Sequence, residues 1–483
     1  MGYQMIKKEF LNNLFVLSSM KIEDNTIVNR CIELDHCFLY LNEESRFKHL
    51  EINGISVILL GYILDIQDEN KKVDEILHGL LKEYHKNKNR FHTYLNMLNG
   101  RYILIFSSDD DTVLYTDATS MKPVFYYENW LFSSHEIIIK ELLKNEKQIE
   151  LKTSAYSMKN FLDYTNTDKV YRFNPNLYFS FKKLIFYRFF PREHYRLRDL
   201  DTVMKNTEWY IDTQVDWLKN NYKTISLSLT GGFDSKLSLA LVKPIINRVE
   251  TFTYMYRFNE NINYDMLNMH KKTYYKDKVI VDNLIYNFNL NHQYFHFDDY
   301  KVPTSYLNDI KKHVSSHHSY KLSYLTLKEF NRESIHLKST LYELAKLPHK
   351  NNDVSPEKTI KTIIQWAPKE LRENKELLLE LYSNYYERNL TSQIVELNYN
   401  LPLMLYWEYR MANWHGNLTQ ETDFIWETFV FINSRYILDQ LISLPSKERK
   451  EKSYLTSLIK KYWPALNYFV PNSFETLEDK RTK

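Results

Sequence analysis

The residues of this chain best suited to chemistry lie in one short stretch, Thr230-Gly231-Gly232-Phe233-Asp234-Ser235. The six residues from Ile225 to Thr230 are β-branched, leucine or hydroxylic, which suits a buried parallel strand ending in a hydroxyl. Gly231 and Gly232 break that strand; they can take backbone angles closed to other residues and leave no side chain between the amides and a ligand. LSLALV, residues 237–242, continues as a helix able to pack on the sheet. Strand, glycine turn and helix N-terminus together make an anion site, because the amides point outward and the helix dipole favours a phosphate. An acid inside a phosphate loop requires a cation beside it. Asp234 is therefore expected to bind Mg2+, which commonly bridges one carboxylate and nucleotide phosphates. The spacing is not that of the Walker loop, GxxxxGK[ST].

A second stretch, Ser334 to Leu344, reads SIHLKSTLYEL. Its strand-like IHLKS is expected beside the first strand, with the turn after it facing the phosphate loop, as ligand crevices do in parallel sheets. His313, His317 and His318 include an i, i+4 pair able to share a helix face, but no HExxH and no nearby carboxylate complete a metal set. Surface or cleft histidines are expected there, and magnesium prefers oxygen ligands in any case. Asp277 opens the apolar-periodic run 276–290 and reads as a helix N-terminal acid favoured by the dipole.

These stretches need a large scaffold to position them. A chain of 483 residues exceeds one ordinary core and predicts two or three domains. Apolar and charged fractions of 43% and 26% are those of a soluble globular protein, and a formal charge of +3 gives no bulk electrostatic case for nucleic acid. No run of 18 apolar residues argues for a membrane span, and the first 20 residues lack the pattern of a signal peptide, so a cytoplasmic location is expected. Gly2 does not begin a myristoylation motif, since Ile6 stands where Ser or Thr is required. Cys31 and Cys37 make neither a disulfide framework nor a metal set.

From about Ile27 to Phe190 the pattern is short strands with few helices, including a hairpin turn at Asp109-Asp110-Asp111. Residues 192–201 are charged and without apolar periodicity, which places a boundary there, and residues 203–221 form a helix leading into the opening strand. Residues 248–256 read as the next parallel strand, 257–275 as an irregular insertion, 276–290 as a helix and HQYFHF as a short strand. The turn-forming residues 346–359 are expected to make a mobile loop near the site. The rest reads as helical, with Trp407, Tyr409 and Trp414 either in the core or lining an acceptor pocket.

The loop TGGFDS resembles the SGGxDS pyrophosphate loop of asparagine synthetases, with Thr230 for the first serine and Lys236 after the last. The first part of the chain resembles the N-terminal nucleophile (Ntn) glutaminase domain of that family, through Gly100-Arg101-Tyr102, Thr116-Asp117, Lys122 to Tyr127 and Ser133-Ser134. The resemblance, which extends to β-lactam synthetases and lasso-peptide cyclases, implies an α/β protein. Residues 1–195 would form an Ntn-hydrolase-like antiparallel sandwich. Residues 196–483 would form a doubly wound parallel-sheet ATP pyrophosphatase domain with a helical C-terminal part. The family's glutaminase nucleophile is missing: Gly2 stands in its place, and neither Cys31 nor Cys37 has a free amine. This domain is expected to be inactive, serving as a wall beside the synthetase site or as a docking surface.

What the resemblance implies for the second part is an ATP-dependent, AMP-forming amide synthetase. Thr230, Gly231, Gly232 and Ser235 would hold pyrophosphate and Asp234 would hold Mg2+. The family's Asp-Glu pair is replaced by Tyr342-Glu343, which leaves Glu343 open to three roles: metal ligand, base or solvated helix acid. The catalytic lysine the family places after its last helix has no counterpart after Pro464, and Lys236, Lys338 and Lys452 are the candidates to replace it. With no glutaminase, the amine would belong to the carboxylate substrate or to a second small molecule, and a precursor peptide or partner protein fits that chemistry. Two alternatives stay open: an ammonia-using asparagine synthetase-like enzyme, and a nucleotide-binding scaffold or regulatory protein with reduced catalysis.

Overall fold

The computed structural model describes residues 10, 13–23, 30–42, 45–154, 158, 161–258, 264–314, 319–331, 333–346 and 356–474. The expectations at Gly2, His317, His318 and most of the 346–359 loop lie outside them. The first part is built from two six-stranded antiparallel sheets. One orders its strands Val170–Arg172, Phe125–Tyr127, Leu131–Ser133, Phe15–Ser18, Phe38–Leu41 and Arg30–Glu33. The other runs Ile185–Arg188, Leu177–Ser180, Asp111–Thr116, Leu98–Ser108, Ile55–Asp65 and Phe47–Ile52. The predicted hairpin closes with Ser108 opposite Asp111.

Strand alternation decides how these sheets stack, because successive side chains point to opposite faces. Leu17, Leu39 and Phe132 of the first sheet meet Ile58, Ile105 and Leu114 of the second in one apolar layer. The outer face of the second sheet packs Val57, Leu59 and Phe106 on Ile76, Leu77 and Leu80 of the amphipathic helix Val73–Lys86. The outer face of the first sheet packs Val16 and Leu131 on Ile138, Ile139 and Leu142 of the helix Glu136–Lys147. Two antiparallel sheets therefore lie between helical layers, as expected.

The second part carries a five-stranded sheet in which every neighbouring pair is parallel. Its spatial order is His292–His296, Val249–Met255, Ile225–Ser228, Ile335–Leu337 and Glu427–Phe429. In chain order this reads third, second, first, fourth, fifth, so the direction of winding reverses between Ile225–Ser228 and Ile335–Leu337. At such a reversal the loops leaving the two strands part and open a crevice at their C-terminal ends. Ile225, Leu227, Ile335 and Leu337 share one core with Leu237 and Leu241 of the helix Phe233–Leu241. Phe252, Phe295 and Trp426 pack on Leu325 of the helix Tyr320–Glu329 to form a separate apolar cluster.

Two expectations change and one alternative is settled. The helix predicted over 276–290 runs Met269–Phe288, capped by Asn268, whose side chain accepts the Lys271 amide at 3.0 Å. Asp277 therefore sits inside the helix, away from its N-terminal dipole. Glu427–Phe429 is a strand where helix was expected, since three residues paired only to Ile335–Leu337 carry no periodicity of their own. Trp407 is wholly buried and donates to the Ala118 carbonyl at 2.7 Å, which makes it a core residue.

Candidate functional site

The loop after Ile225–Ser228 is held from within. Thr230 N donates to Ser235 Oγ at 3.1 Å, Ser235 Oγ donates to the Thr230 carbonyl at 3.0 Å, and Gly232 N donates to Thr230 Oγ1 at 3.2 Å. Gly232 takes the cap position of the helix Phe233–Leu241 with φ −78° and ψ 167°, ordinary extended backbone. Neither loop glycine has a positive φ, so their value is room and not unusual angles. A Cβ at Gly231 would stand 2.7 Å from Ile280 Cδ1 and 3.0 Å from Asp277 Oδ1.

Two elements grip Gly231 from opposite sides. Its N–H donates to Asp277 Oδ1 at 2.8 Å, and its carbonyl accepts the Asn472 N–H at 2.8 Å. Burial raises the Asp277 carboxyl above its ordinary value of 3.8, against the pull of that amide. The acid read as a plain helix terminus is thus the partner of the Thr230–Ser235 loop. It occupies an amide that a phosphate oxygen would otherwise take. The amides of the first turn of Phe233–Leu241 have no intrahelical acceptor and remain the donors for an anion.

Asp234 points across the crevice. Lys346 Nζ lies 2.5 Å from its Oδ1 and 2.6 Å from its Oδ2, with the two side chains only 19% and 23% exposed. This lysine follows the short helical turn Tyr342–Ala345, which is anchored by the buried Tyr342 through its hydroxyl, 3.2 Å from Ser238 Oγ. Leu341, just before the turn, is buried at φ 70°, a left-handed angle that glycine takes without strain. Glu343 sits on the same turn. Its Oε2 is buried and has no hydrogen-bond partner among the described residues. Burial first, and then the charge of Asp234, raise its carboxyl above the ordinary 4.5, opposed by Lys346 and Arg410.

None of the three lysines proposed from sequence pairs with Asp234 among the described residues. Lys236 is buried with its ammonium donating to the Phe469 carbonyl, and burial lowers it to about 8. Lys452 is exposed, over the Phe233 ring at 5.4 Å, in a left-handed cap between two helices. Lys338 leaves the strand Ile335–Leu337 on the crevice side, lowered to about 8 by burial. Lys346, which meets the loop acid directly, was not among them. Its only sequence signal is a cation three residues beyond Glu343.

As arranged, these donors fit a divalent cation poorly. Both oxygens of Asp234 face an ammonium, the Glu343 carboxyl is raised above its ordinary value by burial and by Asp234, and no three His, Cys, Asp or Glu among the described residues come together to hold a metal ion. An anionic group fits better, on the first-turn amides of Phe233–Leu241 and the Lys346 ammonium. Among the described residues His313 belongs to no metal cluster: it bonds His135 Nε2 at 3.0 Å and the Gln420 carbonyl at 2.8 Å in the interior. Among the described residues no helix is long and apolar enough to cross a membrane.

No protein-family model matches the sequence, and no curated protein matches it. Among solved structures, glutamine phosphoribosylpyrophosphate amidotransferase from B. subtilis, complexed with ADP and GMP, aligns with 69% of this chain and 71% of its own. The identity is 7% and the TM-score 0.23. A TM-score this low identifies no shared fold.

Proposed function

We propose that this protein is an ATP-dependent, AMP-forming amide-bond synthetase acting on a peptide or natural-product carboxylate. An Ntn-like domain, residues 1–195, would support a synthetase domain over 196–483. The observation that carries this is the meeting, at the reversal of strand order, of the Thr230–Ser235 loop with Lys346, on whose turn stands Glu343, its Oε2 without a hydrogen-bond partner among the described residues. A substrate carboxylate oxygen attacks the α-phosphorus of ATP and pyrophosphate leaves. An amine nitrogen then attacks the acyl carbon, AMP leaves, and the amine gives up a proton. Helix amides and the Lys346 ammonium offset phosphate charge, where preorganised donors contribute most to rate. Glu343 is the base for the amine proton: its raised proton affinity and free oxygen suit that task.

A second reading, a nucleotide-binding protein with reduced catalysis, is favoured by Asp277, whose carboxylate already holds the Gly231 amide. Carboxylate-dependent ATP–pyrophosphate exchange separates the two. Asp234→Ala, which strips Lys346 of its partner, is expected to lower exchange at least a hundredfold while the far-UV spectrum stays unchanged. Normal exchange by that variant would overturn the assigned site. Absence of exchange across a broad carboxylate panel, with ATP still bound, would select the second reading.

A further inference from the structure

A polyphosphate entering this crevice meets a carboxylate, Asp234, at the first turn of the loop helix. Its charge needs an opposite one, and the chain supplies it from 112 residues away. Lys346 Nζ contacts both oxygens, at 2.5 and 2.6 Å. The turn that carries it is anchored: Tyr342 and Leu344 are wholly buried, and Lys346 N donates to the Glu343 carbonyl at 3.0 Å. An ammonium carries three donors in all. Two are directed at Asp234, and the third is the one a phosphate oxygen can take.

The same geometry works against a metal ion. Magnesium demands near-octahedral oxygen ligation. Placing one on Asp234 would require breaking a charge-assisted pair on both carboxylate oxygens. A second acid, Glu343, stands on the turn that precedes that lysine, and burial and the Asp234 charge raise its carboxyl above the ordinary value. We propose that Lys346 is the counter-charge that a divalent cation would bring to Asp234, so that the crevice binds the polyphosphate of a nucleoside triphosphate without a metal ion. The inference rests on nucleotide binding at this crevice and adds to it the means of charge compensation.

Calorimetric titration of the full chain with ATP, once in excess EDTA and once in Mg2+, tests it. The expected result is affinity in EDTA within about threefold of that in Mg2+. Lys346→Gln should weaken binding in EDTA at least tenfold, with recovery in Mg2+, while Lys346→Arg stays close to the parent. Melting curves on both variants establish that they fold. Binding by the parent only when Mg2+ is present overturns the inference and leaves nucleotide binding intact. Equal binding in EDTA by the parent and by Lys346→Gln overturns the role of Lys346. No binding in either buffer removes the nucleotide reading, and the inference with it.

Discussion

Asp277 is the residue on which this site turns. It reaches the loop from 46 positions away and its Oδ1 accepts the Gly231 N–H, so a carboxylate stands on an amide that the proposed nucleotide phosphate would need. Asparagine there keeps an acceptor for the amide and removes the charge. ATP affinity is expected to rise about tenfold in Asp277→Asn, roughly 1.4 kcal/mol, measured by the same titration. The stability effect has a definite sign. The folded carboxyl has a higher proton affinity than the unfolded one, whose ordinary value is 3.8. Below that value both states are protonated and burial of the group exacts no charge penalty. As pH rises through the folded value, the folded state must bury a charge that the unfolded chain carries in water, and stability falls. Asp277→Asn should therefore melt higher than the parent at neutral pH, with the gap closing toward about pH 4. A gap independent of pH would show that packing, and not charge, sets the difference.

At the scale of elements, the loop is a strand and a helix joined through two glycines that differ in what they tolerate. An added Cβ at Gly231 meets Ile280, a buried side chain, and disturbs Asp277; one at Gly232 meets only Thr230 Oγ1 at 3.2 Å. Gly231→Ala is expected to destabilise by about 1–3 kcal/mol, as overpacking does, and Gly232→Ala by less than about 1. Urea denaturation of the two variants gives the comparison directly. The strand, turn and helix were legible from sequence because each is a local pattern: buried aliphatics, paired glycines, then a helical run. The antiparallel sheets were legible for the same reason, as in the Asp109-Asp110 turn between apolar strands. The Asp277 and Lys346 contacts were not, because the fold alone brings those residues to the loop, and no spacing within 112 residues announces a contact. Glu427–Phe429 was missed on similar grounds: its strand character comes from its neighbour Ile335–Leu337.

At the scale of the whole molecule, many polar residues of the first part that carried the family resemblance point inward, at the second part. Asp117 accepts the amides of Thr119, Met121 and Lys122 and lies 3.3 Å from Asn433 Nδ2, while Arg435 donates to the carbonyls of Thr116 and Asp117. The Gly100 amide is taken by the Asn99 side chain, whose nitrogen in turn bonds the Val430 carbonyl. That surface is a seam between the two parts. One charged cluster in the seam makes it sensitive to acid. Ser134 Oγ lies 2.7 Å from His135 Nδ1, His135 bonds His313, and His313 lies 3.7 Å from Asp423, which also pairs with Arg101 at 3.4 Å. Burial, the neighbouring His313 and Lys122 hold His135 well below its ordinary 6.5, with Asp423 pulling the other way. The unfolded chain takes up a proton below 6.5 that the folded one refuses, so stability falls as pH drops through that value. Asp423 is shifted below 3.8, and its contribution to stability is lost only at lower pH, as pH falls through its folded value. Between pH 7 and about pH 5 the loss is therefore a histidine effect. His135→Gln retains hydrogen-bonding groups without the titration. Its melting temperature should fall less than the parent's over that interval, and parallel falls would place the acid sensitivity outside the seam.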